Sequence, residues 1–266
     1  MHKLLDLFSG THSVGKIASQ MGYEVTSLDR DLDAKSKLYD YTSNNHIKGD
    51  IMTWEYKKYP KKYFDVVTAS PVCLYWSRLR NCWINRKMKG MNRLFTKEDI
   101  INDIDNIAKP MIDKVIEIIE YFEPSYYWIE NPQTGKLKYY MEEKHKKYNI
   151  FYDFDYCKYS DFGYKKRTRF WTNIKNINNQ LCKNDCKHIM EINNGDIVQK
   201  IHNVRLGSMQ MIRDENNRLI YINTKAKREK YKDYEKIKKN SKVPTRWERY
   251  RVPEKIIIEL LNNCQA

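Results

Sequence analysis

The stretch Asp65–Ser77, DVVTASPVCLYWS, carries the residue with the most obvious chemistry, Cys73. An apolar strand from Phe64 to Ala69 breaks at Ser70-Pro71 and hands the thiol to a loop holding Tyr75, Trp76, Ser77, Arg78 and Arg80. Ligands of open α/β sheets bind just beyond the strand ends. A thiol beside guanidinium groups ionises more readily and becomes a better nucleophile. A buried structural cysteine is the alternative, and this stretch alone leaves both open.

A second group surrounds the first glycine turn, Phe8-Ser9-Gly10-Thr11-His12-Ser13-Val14-Gly15. As a phosphate-binding loop, Gly10-x4-Gly15-Lys16 fails at Ile17, where a hydroxyl should hold magnesium. As a dinucleotide fingerprint it fails at His12, because the middle glycine lets backbone approach a pyrophosphate. A nucleoside without pyrophosphate stays compatible. Asp29 ends the second strand, where an acid bonds a ribose diol, and Asp50 ends the third, where it can reach a base amine. These pieces describe an adenosyl pocket without phosphates, and S-adenosyl-L-methionine is the obvious candidate.

Those groups need a scaffold, and 266 residues suffice for one large domain or a domain with an insert. At 41% hydrophobic and 31% charged residues, the chain can bury a core and is not wholly disordered. The net charge of +15 suits a polyanionic partner, discounted here for a background rich in Lys, Asn, Ile and Tyr. No apolar run is long enough to span a membrane, and MHKLLDLFSG is too short for a signal peptide. Six irregularly spaced cysteines point to a reducing, intracellular compartment. Nothing fixes the oligomeric state; a monomer is the working expectation.

Lys3–Phe8, a helix ending near Met21-Gly22, and Glu24–Leu28 ending in Asp29 make a βαβ unit. A second helix is weakly signalled between Asp33 and Tyr41. Residues 78–97 read as a mobile basic loop with Arg78, Arg80, Arg86, Lys87, Lys89, Arg93 and Lys97, and no acid before Glu98. Asn106–Phe122 is an amphipathic helix, with Ile112, Val115, Ile116, Ile119 and Phe122 on one face. Strands follow at Tyr126–Ile129, leading into Glu130-Asn131-Pro132, and at Phe151–Cys157. Pro253 opens a last helix through Leu261. The expected division is a catalytic core over 1–174, a polar insert over 175–245 and a returning C-terminal segment over 246–266. Within the insert, Thr224–Lys239 could form a charged helix.

The order of motifs resembles the C5-cytosine methyltransferase family. DLFSGTHSVG resembles its cofactor loop, usually Phe-x-Gly-x-Gly, and Asp29 and Gly49-Asp50-Ile51 resemble its ribose and adenine contacts. Ser70-Pro71-Val72-Cys73-x3-Ser77 resembles Pro-Pro-Cys-Gln-x-x-Ser, and Glu130-Asn131-Pro132 resembles Glu-Asn-Val. Phe162-Gly163 through Arg167-Thr-Arg169 resembles Gly-Val-Pro-Gln-x-Arg-x-Arg, one residue shorter and without Pro-Gln. Arg251–Leu261 resembles the helix that closes the cofactor pocket. His12, Val72, Leu74 and Pro132 depart from the usual residues.

The resemblance implies a Rossmann-like, S-adenosyl-L-methionine-dependent methyltransferase fold with a mostly parallel sheet and a small target-recognition insert. It implies cofactor contacts at Phe8, Ser9, Gly10, Thr11, His12, Ser13, Asp29, Asp50, Ile51 and Pro71. Catalysis falls to Cys73 as nucleophile, Glu130 as partner of the ring nitrogen, and Arg169 orienting the base or assisting the thiolate. Nucleic-acid contacts fall to Ser77, Arg78, Arg80, Arg86, Lys87, Lys89, Asn131 and Arg167. DNA is the favoured polymer; the same reaction on RNA, or a non-catalytic nucleic-acid binder of this fold, are the alternatives.

Cys182-x3-Cys186-x-His188, with His202 beyond, hints at zinc. The spacing is unusual and a polar loop with spare cysteines is the preferred reading, so no metal is assigned and Cys182, Cys186, His188 and His202 remain candidates. Cys82 and Cys157 read as structural.

Overall fold

β1 (Lys3–Leu7) lies at the centre of a seven-stranded sheet and fixes the rest of the architecture. Its side chains alternate between two cores, as a pleated strand requires: Leu4 packs with α1 (Ser13–Gln20), and Leu5 and Leu7 pack on the opposite face. The same alternation runs through β4 (Val66–Ala69) and β5 (Tyr126–Pro132), whose Val66 and Trp128 share the first core while Val67 and Ile129 share the second. The computed structural model describes residues 1–194, 197–204, 211–213, 219–221 and 244–264.

With β2 (Glu24–Asp29), β3 (Asn45–Lys48), β6 (Phe151–Asp155) and β7 (Arg167–Thr172), the sheet runs β3-β2-β1-β4-β5-β7-β6. Pairing is parallel from β3 through β5, and β7 is antiparallel to both its neighbours. This is the expected Rossmann-like, mostly parallel sheet. The order reverses between β1 and β4, so a crevice opens beyond their carboxyl ends, where open α/β sheets bind ligands.

Helices cover both faces. α2 (Lys97–Asp103) starts at a Thr96–Asp99 capping box and runs through a π-helical turn, Ile104–Ala108, into α3 (Lys109–Phe122). Ile112, Val115, Ile116, Ile119 and Phe122 are buried, and the helix ends at Glu123 in the left-handed region before Pro124. The helical run thus begins about two and a half turns before Asn106. α4 (Leu137–Lys144), with a weak apolar face, went unnoticed in the sequence. On the other side α5 (Arg246–Tyr250) leads to α6 (Glu254–Asn262), whose Ile256, Ile257, Leu260 and Leu261 pack with Val14 and Ile17 of α1. A Lys16–Glu254 ion pair of 2.8 Å ties these two helices at the surface.

Two expectations fail. Residues 33–41 form turns, because the Ser36 hydroxyl accepts from Leu38 N and Tyr39 N and stabilises a local alternative to helix. Residues 78–97 contain ordered structure: a 3-10 segment over Arg78–Trp83 and a Lys87–Leu94 bridge. Within residues 175–245, β8 (Ile189–Asn194) pairs with β9 (Ile197–His202), and β10 (Met211–Arg213) with β11 (Leu219–Tyr221). The helix expected at Thr224–Lys239 lies outside the described residues. Among the described residues, no helix is long and apolar enough to cross a membrane.

Candidate active site

The loop after β1 takes up a sharply wound path, with Phe8, Gly10 and His12 all at positive φ (58°, 55° and 60°). Asp29 holds it. Its carboxylate accepts from Gly10 N at 3.1 Å, and from Asp31 N and Leu32 N at 2.9 and 3.2 Å. A carboxylate has about four acceptor sites, so Asp29 keeps one for a ligand. Ser36 donates its hydroxyl to Thr11 O at 2.7 Å, and Thr11 and Ser13 share a 2.9 Å hydrogen bond. Ser13 also accepts from Val252 N at 3.3 Å, which brings the C-terminal segment to the loop. Among the described residues, the buried Ser9 hydroxyl has no hydrogen-bond partner.

His12 differs from the expectation of a cofactor contact. Its ring is fully buried against Tyr41 and His46, and its Nε2–H donates to Asp33 O at 2.9 Å. Burial pushes its pKa below the ordinary value, so it stays neutral. Its backbone is engaged as well, His12 N donating to Ser9 O at 2.8 Å and His12 O accepting from Lys16 N at 3.0 Å. At the end of β3, Asp50 accepts from Met52 N at 2.9 Å and faces Arg30 at 3.5 Å, with Ile51 buried beside it. Beneath the loop, buried Asp6 on β1 accepts from Thr68 Oγ1 on β4 at 3.0 Å, and burial raises its carboxyl to about 7.

Beyond β4, Pro71 is buried and Cys73 half-buried. Buried Asn131 donates its side-chain amide to Pro71 O at 2.9 Å and so fixes the turn that presents the thiol. Asn131 therefore acts on the protein backbone, not on nucleic acid as the sequence suggested. Burial pushes the Cys73 thiol up, Lys166 pulls it down and Glu130 pushes it up again. The expectation that Arg78 and Arg80 would lower it is corrected: the cation acting on the thiol is Lys166.

Glu130 is buried at 7% exposure, accepts from Tyr156 Oη at 3.3 Å, and stands 3.8 Å from Lys166 Nζ. Burial holds the Tyr156 phenol protonated, as a donor must be. Arg169 is not in this group. β5 and β7 pair with Glu130 opposite Phe170 and Asn131 opposite Arg169. Alternation then puts Arg169 on the other face from Glu130. There it forks onto Asp153 at 2.8 and 2.9 Å, against the Phe151 ring. Arg167 forks likewise onto Asp155, at 2.9 and 2.7 Å. Both expected arginines are thus bound to the neighbouring strand β6, and Lys166, passed over in the sequence, takes the place foreseen for Arg169.

The basic segment also divides. Arg80 is 3% exposed, ion-paired with Asp103 and enclosed by Tyr75, Trp83 and Phe95, so it cannot meet a phosphate. Ser77 caps the 3-10 segment by accepting from Leu79 N at 3.2 Å. Arg78 is exposed and donates to Tyr139 Oη at 2.7 Å. Arg86, Lys87 and Lys89 are exposed. A thiol with a buried carboxylate and an ammonium close by, at the crevice beside a polar loop, can perform nucleophilic addition to a planar ring with proton transfer.

No protein-family model matches the chain. A curated relative from Frog virus 3 (isolate Goorha), described as a probable DNA (cytosine-5)-methyltransferase, is 32% identical over 266 residues, spanning 98% of this chain and 100% of the relative. Among solved structures, S. pombe Dnmt2 methyltransferase is 13% identical with a TM-score of 0.44, over 71% of this chain and 59% of that one. A putative DNA modification methyltransferase encoded within an E. coli prophage is 12% identical with a TM-score of 0.43, over 65% and 46%. This chain spans roughly half the length of those two structures, and likeness at that level carries no argument about substrate.

Proposed function

The chain belongs to the DNA (cytosine-5)-methyltransferase family, and on that premise we propose that it methylates carbon 5 of cytosine in DNA through a covalent Cys73 adduct with a flipped base. S-adenosyl-L-methionine is the cofactor that goes with the family, and its sulfonium supplies an electrophilic methyl group. The residues present fit an adenosyl group. The buried Ser9 hydroxyl without a partner calls for a polar ligand, Asp29 keeps an acceptor site for a ribose hydroxyl, and Asp50 stands at the neighbouring strand end. The backbone of Phe8–Ser13, with Ile51 and Pro71, would line the same pocket.

Carbon 5 of cytosine is a weak nucleophile. Cys73, as thiolate, adds its sulfur to carbon 6, and the displaced electron pair makes carbon 5 electron-rich. Glu130, a carboxylate beside Lys166, takes up the thiol proton, passes it to ring nitrogen 3 as charge develops there, and takes it back when the thiolate leaves. Lys166 favours the thiolate and balances Glu130. Asn131 holds the Pro71 turn so that Sγ keeps its place. After methylation, loss of the carbon 5 proton to a base returns the electron pair, the carbon–sulfur bond breaks and Cys73 is free. The target base leaves the duplex to reach the thiol, with Arg78, Arg86, Lys87 and Lys89 available to the phosphates.

The observation that carries this reading is Cys73 just beyond β4, with the charges of the Glu130–Lys166 pair acting on its thiol. Incubation with DNA or RNA and methyl-labelled S-adenosyl-L-methionine, followed by digestion to nucleosides, tests it. The account expects 5-methyldeoxycytidine from DNA and none with Cys73→Ser. Label in RNA alone would replace the polymer; label in neither, with the cofactor bound, would favour the non-catalytic reading.

A further inference from the structure

A second group of reactive side chains lies at the far edge of the sheet. Cys157 sits in the 3-10 turn after β6, Cys182 and Cys186 in the loop beyond β7, and His202 at the end of β9. Their ligand atoms all lie within 4.8 Å of one another. We propose that these four residues bind one zinc ion, which fastens the start of the insert to the catalytic core.

The geometry fits. Zinc bound tetrahedrally to sulfur and nitrogen would hold its sulfurs about 3.8 Å apart, and sulfur and nitrogen about 3.6 Å apart. His202 Nε2 already stands 3.6 Å from Cys182 Sγ and 3.4 Å from Cys186 Sγ. Side-chain rotation of under about 1 Å closes the widest separation. The member foreseen at His188 is replaced: His188 bonds Ser160 O at 2.9 Å, and Cys157 completes the set instead. No local spacing reveals Cys157, because the fold and not the loop brings it in.

The surroundings suit an anionic centre. Three thiolates and one zinc ion leave a net charge of −1. Lys165 donates to Cys182 O at 2.8 Å, and Lys158 pairs with Asp185 at 2.9 Å in the loop between the two cysteines. Cys182 N donates to Asp155 Oδ2 at 2.7 Å, so the carboxylate that grips Arg167 also orients one ligand. Packing alone does not require three sulfurs and an imidazole from separated parts of the chain to meet at one point. All six cysteines are free thiols. Four protein ligands leave no open position, which makes the site structural and not catalytic. The proposal stands whether or not the methylation reading holds.

The test uses the full chain, purified under reducing conditions from zinc-containing medium. Elemental analysis should find about one zinc per chain. Cobalt exchange should give thiolate charge-transfer absorption and the strong visible bands of a tetrahedral site. His202→Cys should keep the metal and shift those bands; Cys182→Ser with Cys186→Ser should lose it. Chelation should lower the melting temperature and open residues 182–202 to protease before the core. Wild-type protein without zinc and without the cobalt spectrum, a disulfide among the three cysteines, or zinc retained at full stoichiometry when all three are serine would overturn the proposal.

Discussion

Lys166 Nζ lies 3.8 Å from Glu130 Oε1, and both charges act on Cys73 in opposite directions. Burial has pushed the thiol up, so the ammonium is what draws it back toward the working range. Lys166→Met should therefore move the acidic limb of the rate–pH profile to higher pH. The rate at neutral pH should fall roughly tenfold for each pH unit the thiol moves. Lys166→Arg should restore most of it. An unshifted profile would remove Lys166 from the site.

Asn131 reaches the thiol only through the Pro71 carbonyl. Asn131→Leu leaves that buried carbonyl without its donor, at a cost of about 1–3 kcal/mol. The expected kinetic signature is a fall in kcat with DNA affinity unchanged, measured by single-turnover assay beside filter binding. Weakened DNA binding with kcat intact would return Asn131 to the nucleic-acid surface.

Arg80 and its exposed neighbours should behave differently although the sequence presents them as one basic run. Arg80→Ala removes a buried cation from a ring of aromatics and should lower stability by about 0.5–3 kcal/mol. Arg86→Ala, Lys87→Ala and Lys89→Ala together should leave the melting temperature alone. For DNA, they should flatten the plot of log affinity against log salt by about 0.9 for each phosphate no longer neutralised. A melting curve and a salt titration on each protein separate the two behaviours.

Asp6 ties stability to pH. Burial raises its carboxyl from 3.8 to about 7 in the folded chain. Between those values the folded state holds a proton that the unfolded state has released. Stability from this group is thus full below about pH 4 and is lost as pH rises through 7. Asp6→Asn keeps the oxygen that accepts from Thr68 and removes the titration. Its stability advantage over the wild type should grow from pH 5 to pH 8 by a few kcal/mol, at roughly 1.4 kcal/mol per pH unit while the unfolded chain alone is ionised. A constant difference across that range would contradict the assignment.

Local patterns carried every strand of the sheet except β7, whose Arg167–Thr172 run opens on charged and polar residues; the apolar residues of the others alternate or run continuously as burial demands. They also located Cys73, just after β4, and Glu130, which lies within β5. They could not choose a face for Arg169: Arg-x-Arg fixes only that two arginines share a face, and which face depends on the β5–β7 register. Lys166 was not singled out, because its partner Glu130 lies on β5, far from it in the chain. Arg80 looked exposed because its partner Asp103 lies on α2, well beyond the loop. Cys157 looked solitary because its companions, Cys182, Cys186 and His202, arrive from later in the chain. Each of these misses is a contact between distant segments, which no window of the chain contains; the helix expected at 33–41 is the local exception, replaced by turns that Ser36 sets.

The covalent step is tested most directly with DNA carrying 5-fluorocytosine, incubated with S-adenosyl-L-methionine and resolved on a denaturing gel. Fluorine at carbon 5 blocks the final elimination. The account predicts a protein–DNA species that survives denaturation, carries the methyl label and disappears with Cys73→Ser. Methylation of ordinary DNA with no such species, or one that persists in Cys73→Ser, would contradict it.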